Sequence, residues 1–169
     1  MPARRDIREV VDELLAIEKF VAGQPEWTDS PREGDKRLLC PLLVAGEVSD
    51  ATLTIISYPR VRELSFRLIL SYSVAIWRLD FVHDEIHVND LDRPTGLPSG
   101  PFEQPHYHSW ADNRRFSTSQ KLPERLKNAR ILAPNIRTYA NAFRWFCGET
   151  NVSVPDGGVP ELPETDRFL

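Results

Sequence analysis

The sequence predicts an α+β domain: a mostly antiparallel sheet of four to six strands, with an N-terminal helix and two C-terminal helices packed on one face. Three observations lead there. An apolar stripe at helical spacing opens the chain. Short segments with period-two alternation follow, joined by turns too short for crossover helices. Helical spacing returns only in the last third. Helices segregated from a run of strands make this architecture the natural one.

Taken in order, 6–22 reads as a helix, with Ile7, Val10, Val11, Leu14, Leu15 and Val21 on one stripe. Asp6 is its N-cap, Glu9 follows three residues later, and Gly23 supplies the stop. The acid-rich polar face argues against a membrane-surface helix. A loop over 24–36 contains Trp27, expected to fold back onto the body. A strand over 37–48 is interrupted by Pro41, which predicts an edge strand or a bulge. Strands over 51–58, 64–72 and 74–81 form a meander, with turns at Pro59-Arg60 and Ser71 to Ser73. In the last of them Arg78 and Asp80 share a face opposite Trp77, Leu79 and Phe81. Pro94, Gly96, Pro98, Gly100, Pro101 and Pro105 exclude a helix over 90–105, and a loop of this length in a compact domain is often functional. A strand over 106–111 comes next, then a short helix over 123–130 beginning at Pro123. A last helix is capped by Asn135, carries Ile136, Tyr139, Ala140, Phe143, Phe146 and Cys147 on its apolar side, and ends at Gly148. Residues 1–150 are expected to form one domain and 151–169 an irregular Pro-rich tail.

Composition excludes several classes. A hydrophobic content of 41% with 27% charged residues is that of a globular chain, and a net charge of −4 counts against a general nucleic-acid binder. Cys40 and Cys147 both sit in apolar surroundings and read as buried free thiols, which fits a reducing, cytoplasmic compartment. Neither an export signal nor a membrane span is expected. Ser109 and Ser117 lack a nucleophile elbow. Gly96-x-x-x-Gly100 lacks the lysine and the helix of a phosphate-binding loop. Lys121, Arg125, Lys127 and Arg130 concentrate positive charge, either as a solvated face or as a docking face for RNA or protein.

The chemistry concentrates in one stretch. All four histidines, His83, His87, His106 and His108, fall between positions 83 and 108. In an extended chain His106 and His108 leave the same face, with Trp110 beside them, and pairing 76–82 with 104–110 brings them to Arg78 and Asp80. One reading is metal-independent cleavage of RNA. His106 and His108 transfer protons, Arg78 and Arg114 hold phosphate, and Asp80 orients a partner. Tyr107, Trp110, Arg115 and Asn89 contact the substrate. A second reading is a metal site built from His83, His87, His106 and His108, since H-x-H on a strand with a distant third ligand makes zinc or iron centres. No sharp metal or cofactor motif is present, so no cofactor is expected. A third reading is a hydrogen-bonded polar network without chemistry.

The pieces Phe66-Arg67-Leu68, Arg78-Leu79-Asp80, His83, His87-Val88-Asn89 and Gly100-Pro101 leading to Pro105-His106-Tyr107-His108 together resemble small bacterial proteins related to the TumE-like toxins of toxin–antitoxin pairs. The resemblance spans about residues 60 to 150. It implies a small cytoplasmic bacterial protein with an antitoxin-like partner and RNA as substrate, and it carries suspicion to Arg78, Asp80, His106 and His108. The competing expectation is a non-catalytic protein-binding accessory protein of a mobile element or phage-defence system.

Overall fold

The computed structural model describes residues 5–164. It has α1 (Ile7–Ala16), β1 (Lys19–Val21), β2 (Trp27–Asp29), β3 (Lys36–Val44), β4 (Glu47–Ser57), β5 (Phe66–Tyr72) and β6 (Val74–Phe81). After these come β7 (His87–Val88), β8 (Pro101–Phe102), β9 (His106–His108), α2 (Trp110–Asn113), β10 (Arg130–Ile131) and α3 (Tyr139–Thr150). The protein is α+β, and its main sheet has eight strands rather than four to six. The order is β1-β3-β4-β5-β6-β9-β10, with β2 also on β3, and all these pairings are antiparallel. The excess over expectation consists of two- and three-residue strands, too short to show a period. β7 and β8 pair only with each other.

Alternation builds the core. Leu38, Cys40 and Leu42 of β3, Leu53 and Ile55 of β4, Phe66, Leu68 and Leu70 of β5, and Leu79 and Phe81 of β6 are all buried in one cluster. α3 adds Phe143, Phe146 and Cys147 to it, and α1 adds Val11 and Leu14. Aromatic contacts join α3 to β5 and β6: Tyr139 meets Phe66 edge-on with ring centroids 5.0 Å apart, and Phe146 meets Trp77 at 5.2 Å. Both cysteines are buried and free. Among the described residues no helix is long and apolar enough to cross a membrane.

Five expectations are corrected, one of them in part. The first helix stops at Ala16 instead of running to residue 22, and 19–21 form β1. Ile17 turns extended, and the fully buried Lys19 ammonium donates to the carbonyls of Leu14 (2.5 Å) and Ile17 (2.7 Å), taking over the open helix end. Of the two expectations for Pro41 the bulge is present and the edge strand is not: it lies in an interior strand, beside a register shift between Pro41 and Leu43 and in the gap between the stretches that pair with β1 and β2. The predicted helix over 123–130 is absent, because buried amides capture its backbone: Asn113 Oδ1 accepts from Asn128 N–H (2.8 Å) and Asn89 Oδ1 from Ala129 N–H (2.6 Å). The last helix begins after Thr138, whose side chain accepts from Asn141 N–H, and ends at left-handed Asn151, so Asn135 and Gly148 do not bound it. Trp27 packs against the core from β2, not from a loop. The segment after α3 is irregular up to residue 164; residues 165–169 of the expected tail lie outside the described residues.

Burial pulls the Lys19 amine down to about 8. A base that is easier to deprotonate when folded destabilises the fold while both states are charged. That cost fades as pH rises from the folded toward the unfolded value. Relative to Lys19→Met, the wild-type chain is therefore expected to gain about 2 kcal/mol between pH 7.5 and pH 10, measured by urea unfolding of both proteins. An unchanged difference would show that the amine is solvated.

Candidate functional site

Two cross-strand rows deliver the site. Arg67 on β5 faces Asp80 on β6, which faces His106 on β9; one step along, Arg78 on β6 faces His108 on β9. These are neighbours in antiparallel register, so all five side chains leave one face of the sheet. The intervening Leu79 points the other way, into the core. The expected pairing of β6 with the His-x-His strand is thus present.

Asp80 is the centre. Its carboxylate is completely buried, accepting from Arg67 Nε at 2.7 Å on one oxygen and from Arg78 Nε at 2.9 Å on the other. The second oxygen also lies 3.4 Å from His106 Nε2 and 3.2 Å from His108 Nε2. Burial alone would raise its pKa, but His106 beside it and the charges of Arg78 and Arg67 hold the carboxyl well below its usual range. Arg67 reaches on to Glu85.

The imidazoles are oriented from behind. His106 Nδ1 is 3.0 Å from the Gln104 carbonyl, and His108 Nδ1 is 3.1 Å from that of Asn128. Both Nε2 atoms are therefore left facing the carboxylate. Arg78 Nη2 also lies 2.9 Å from His108 Nε2. A guanidinium can only donate, so His108 Nε2 accepts there and the ring is neutral with its proton on Nδ1. In keeping with this, burial, abetted by the Arg78 charge, pushes the His108 pKa down to about 4.

The third imidazole arrives from β7, outside the main sheet. His87 lies with its ring centroid 5.0 Å from that of His106 and 4.8 Å from that of His108. Asn89 gives its Nδ2 hydrogens to the carbonyls of Pro98 and Ala129 and accepts from Ala129 N–H, which fixes its amide orientation. Its Oδ1, 3.0 Å from His87 Nε2, accepts from that nitrogen as well. Burial, then the neighbouring His106, lowers the His87 pKa. One nitrogen of each of His87, His106 and His108 lies within 4.8 Å of the others. Phe102 of β8 packs edge-on against His87 and His106 and screens them from solvent.

The remaining predicted residues separate into other places. His83 is exposed beside the Phe81 ring and outside the three-histidine group. Tyr107 alternates away from His106 and His108 and stacks on Trp77 at 5.2 Å. Trp110 is not extended beside the histidines: Ser109 caps α2 there, and the buried indole donates to Asp12 at 2.7 Å. Arg114 forks onto the same Asp12, and Arg115 reaches Asp92 at 2.6 Å. Asn89 is at the site, as the orienting partner of His87.

Two contributors escaped the sequence reading. Arg67 was legible in principle, as the polar residue of β5 in register with Asp80. Asn128 had no signal. It is fully buried, its carbonyl receives both His108 Nδ1 and Asn113 Nδ2, and its own amide donates to Asp112 O.

Fold and site together define an α+β protein with a three-histidine cluster, two rings buried and the third half-buried, closed over an arginine-clamped aspartate. Comparison with family models, with curated proteins and with solved structures finds no match.

Replacing Asp80 by Ala leaves two guanidinium groups facing each other without their shared counter-charge. The expected loss is about 3–5 kcal/mol of unfolding free energy, read from urea titration. A loss below about 1 kcal/mol would place Asp80 among solvent-screened surface pairs.

Proposed function

We propose that the protein binds one transition-metal ion of the zinc or ferrous type through His87, His106 and His108, and that the ion is its functional centre. The single observation that carries this reading is the convergence of the three imidazoles. Each is anchored on its other nitrogen by a carbonyl or amide oxygen: Gln104 for His106, Asn128 for His108, Asn89 for His87. Protein metal sites hold histidine ligands in this way, with the second ring N–H occupied so that the first presents a lone pair. Three protein ligands leave a position for water, whose pKa such an ion lowers toward neutrality, so hydrolysis is the reaction class that follows.

The test is zinc titration of chelator-treated protein by calorimetry. One ion per chain is expected, with the affinity falling at least about 100-fold in the His106→Gln/His108→Gln double variant while its circular dichroism is retained. No uptake at micromolar zinc by folded wild-type protein ends the proposal.

A second reading is favoured by the neutral His108 beside a guanidinium, a pairing of proton acceptor and anion holder. In it the chain is a metal-independent ribonuclease of the toxin type, neutralised by an antitoxin-like protein. His106 and His108 transfer protons, Asp80 orients them, and Arg78, which lines the cleft beside His87, holds phosphate, whereas Arg114 lies apart with Asp12. Incubation with total RNA separates the two: cleavage that survives a chelator supports the second reading, and cleavage abolished by it supports the first.

A further inference from the structure

A cleft of about 400 Å³ opens beside the His87 imidazole, lined by Arg78, His87, Asp90, Arg125 and Lys127 among others. We propose that this cleft is an anion subsite that takes a phosphate group, placing it next to the three-histidine centre.

The cations are presented by an anchored strip of chain, not by a loose loop. Leu126 is buried between Arg125 and Lys127, so those two side chains leave the same, outward side of an alternating segment. The backbone immediately beyond is tied down by Asn113 and Asn89 through Asn128 N–H and Ala129 N–H. Lys127 Nζ sits 4.8 Å over the Phe116 ring and 3.7 Å from Asp90, too far from that carboxylate for a hydrogen bond. Arg125 enters no ion pair among the described residues. Across the cleft Arg78 is fixed by Asp80 and His108. Three cations thus converge against one facing carboxylate, Asp90. A compact oxyanion meets that arrangement with charge-assisted hydrogen bonds.

This inference deepens the metal reading by naming the chemistry of its ligand, and it rests on that reading only for the role of the bound group, not for the binding itself. A phosphate can belong to a free phosphomonoester or to an internal phosphodiester, and the two sources are distinguished by the probes.

Calorimetry is performed with inorganic phosphate, adenosine 5′-monophosphate and a dinucleoside monophosphate, on zinc-loaded and on chelator-treated protein. The Arg125→Ala/Lys127→Ala variant serves as comparison, with its zinc affinity measured alongside. The expected result is saturable binding of at least one probe, weakened at least about tenfold in the variant while zinc affinity is unchanged. The tighter binder among the last two probes identifies the source. Binding by chelated protein with the same dependence on Arg125 and Lys127 upholds the subsite even where zinc uptake has failed, so the two proposals fail separately. No saturable binding of any probe, or equal affinity in the variant, overturns the subsite.

Discussion

The ion cluster around Asp80 is the constraint on which the site depends. A carboxylate with no access to water is tolerable only when its charge is met, and here two arginines donate to its two oxygens while the imidazoles of His106 and His108 close over one of them. Each partner comes from a strand in direct register, so the cluster fixes the pairing of β5, β6 and β9 as firmly as the apolar face does. A shift of β9 by one residue would turn Tyr107 toward Asp80 and both histidines into the core.

The same alternation explains how one sheet serves two purposes. On one face, Phe66, Leu68, Leu79 and Phe81 contribute to the continuous apolar cluster. On the other, the neighbouring positions of the same strands carry Arg67, Arg78, Asp80, His106 and His108. Stability and chemistry are thereby segregated by residue parity, and the central strands supply rigidity to both. The loop from 83 to 105 then brings His87, Asn89 and Phe102 over the polar face and covers His106 and His108, while Arg67, Arg78 and His87 keep part of their surface open.

What the sequence made legible follows from this parity. The long strands β4, β5 and β6 have enough residues for a period of two to stand out, and the crowding of histidines between 83 and 108 pointed to the right stretch. Arg78, Asp80, His106 and His108 could be brought together on paper because one hairpin-like pairing sufficed. Tyr107 and Trp110 were misplaced for opposite reasons: alternation was ignored at the first, and the Ser109 cap was unread at the second. The segment 123–130 misled because Pro123 and its charged residues imitate a helix start. Its actual course is dictated by buried asparagines far away in sequence, which no local pattern reveals. Lys19 is similar: a lysine in a helical stripe gives no warning that its amine will close the helix from inside.

The pairing of β7 with β8, and with nothing else, has a consequence of its own. In the proposed metal centre two of the ligands, His106 and His108, belong to the main sheet, whereas the third, His87, belongs to a two-stranded unit that is tied to the body beside it through Asn89 and Ala129. An ion bridging them would act as a rivet between a stiff plate and a hinged cover. Opening the cover would break the Asn89–Ala129 bonds but no pairing of the plate, and occupancy of the centre would be reported by the opening of a small peripheral unit rather than by the melting of the whole molecule.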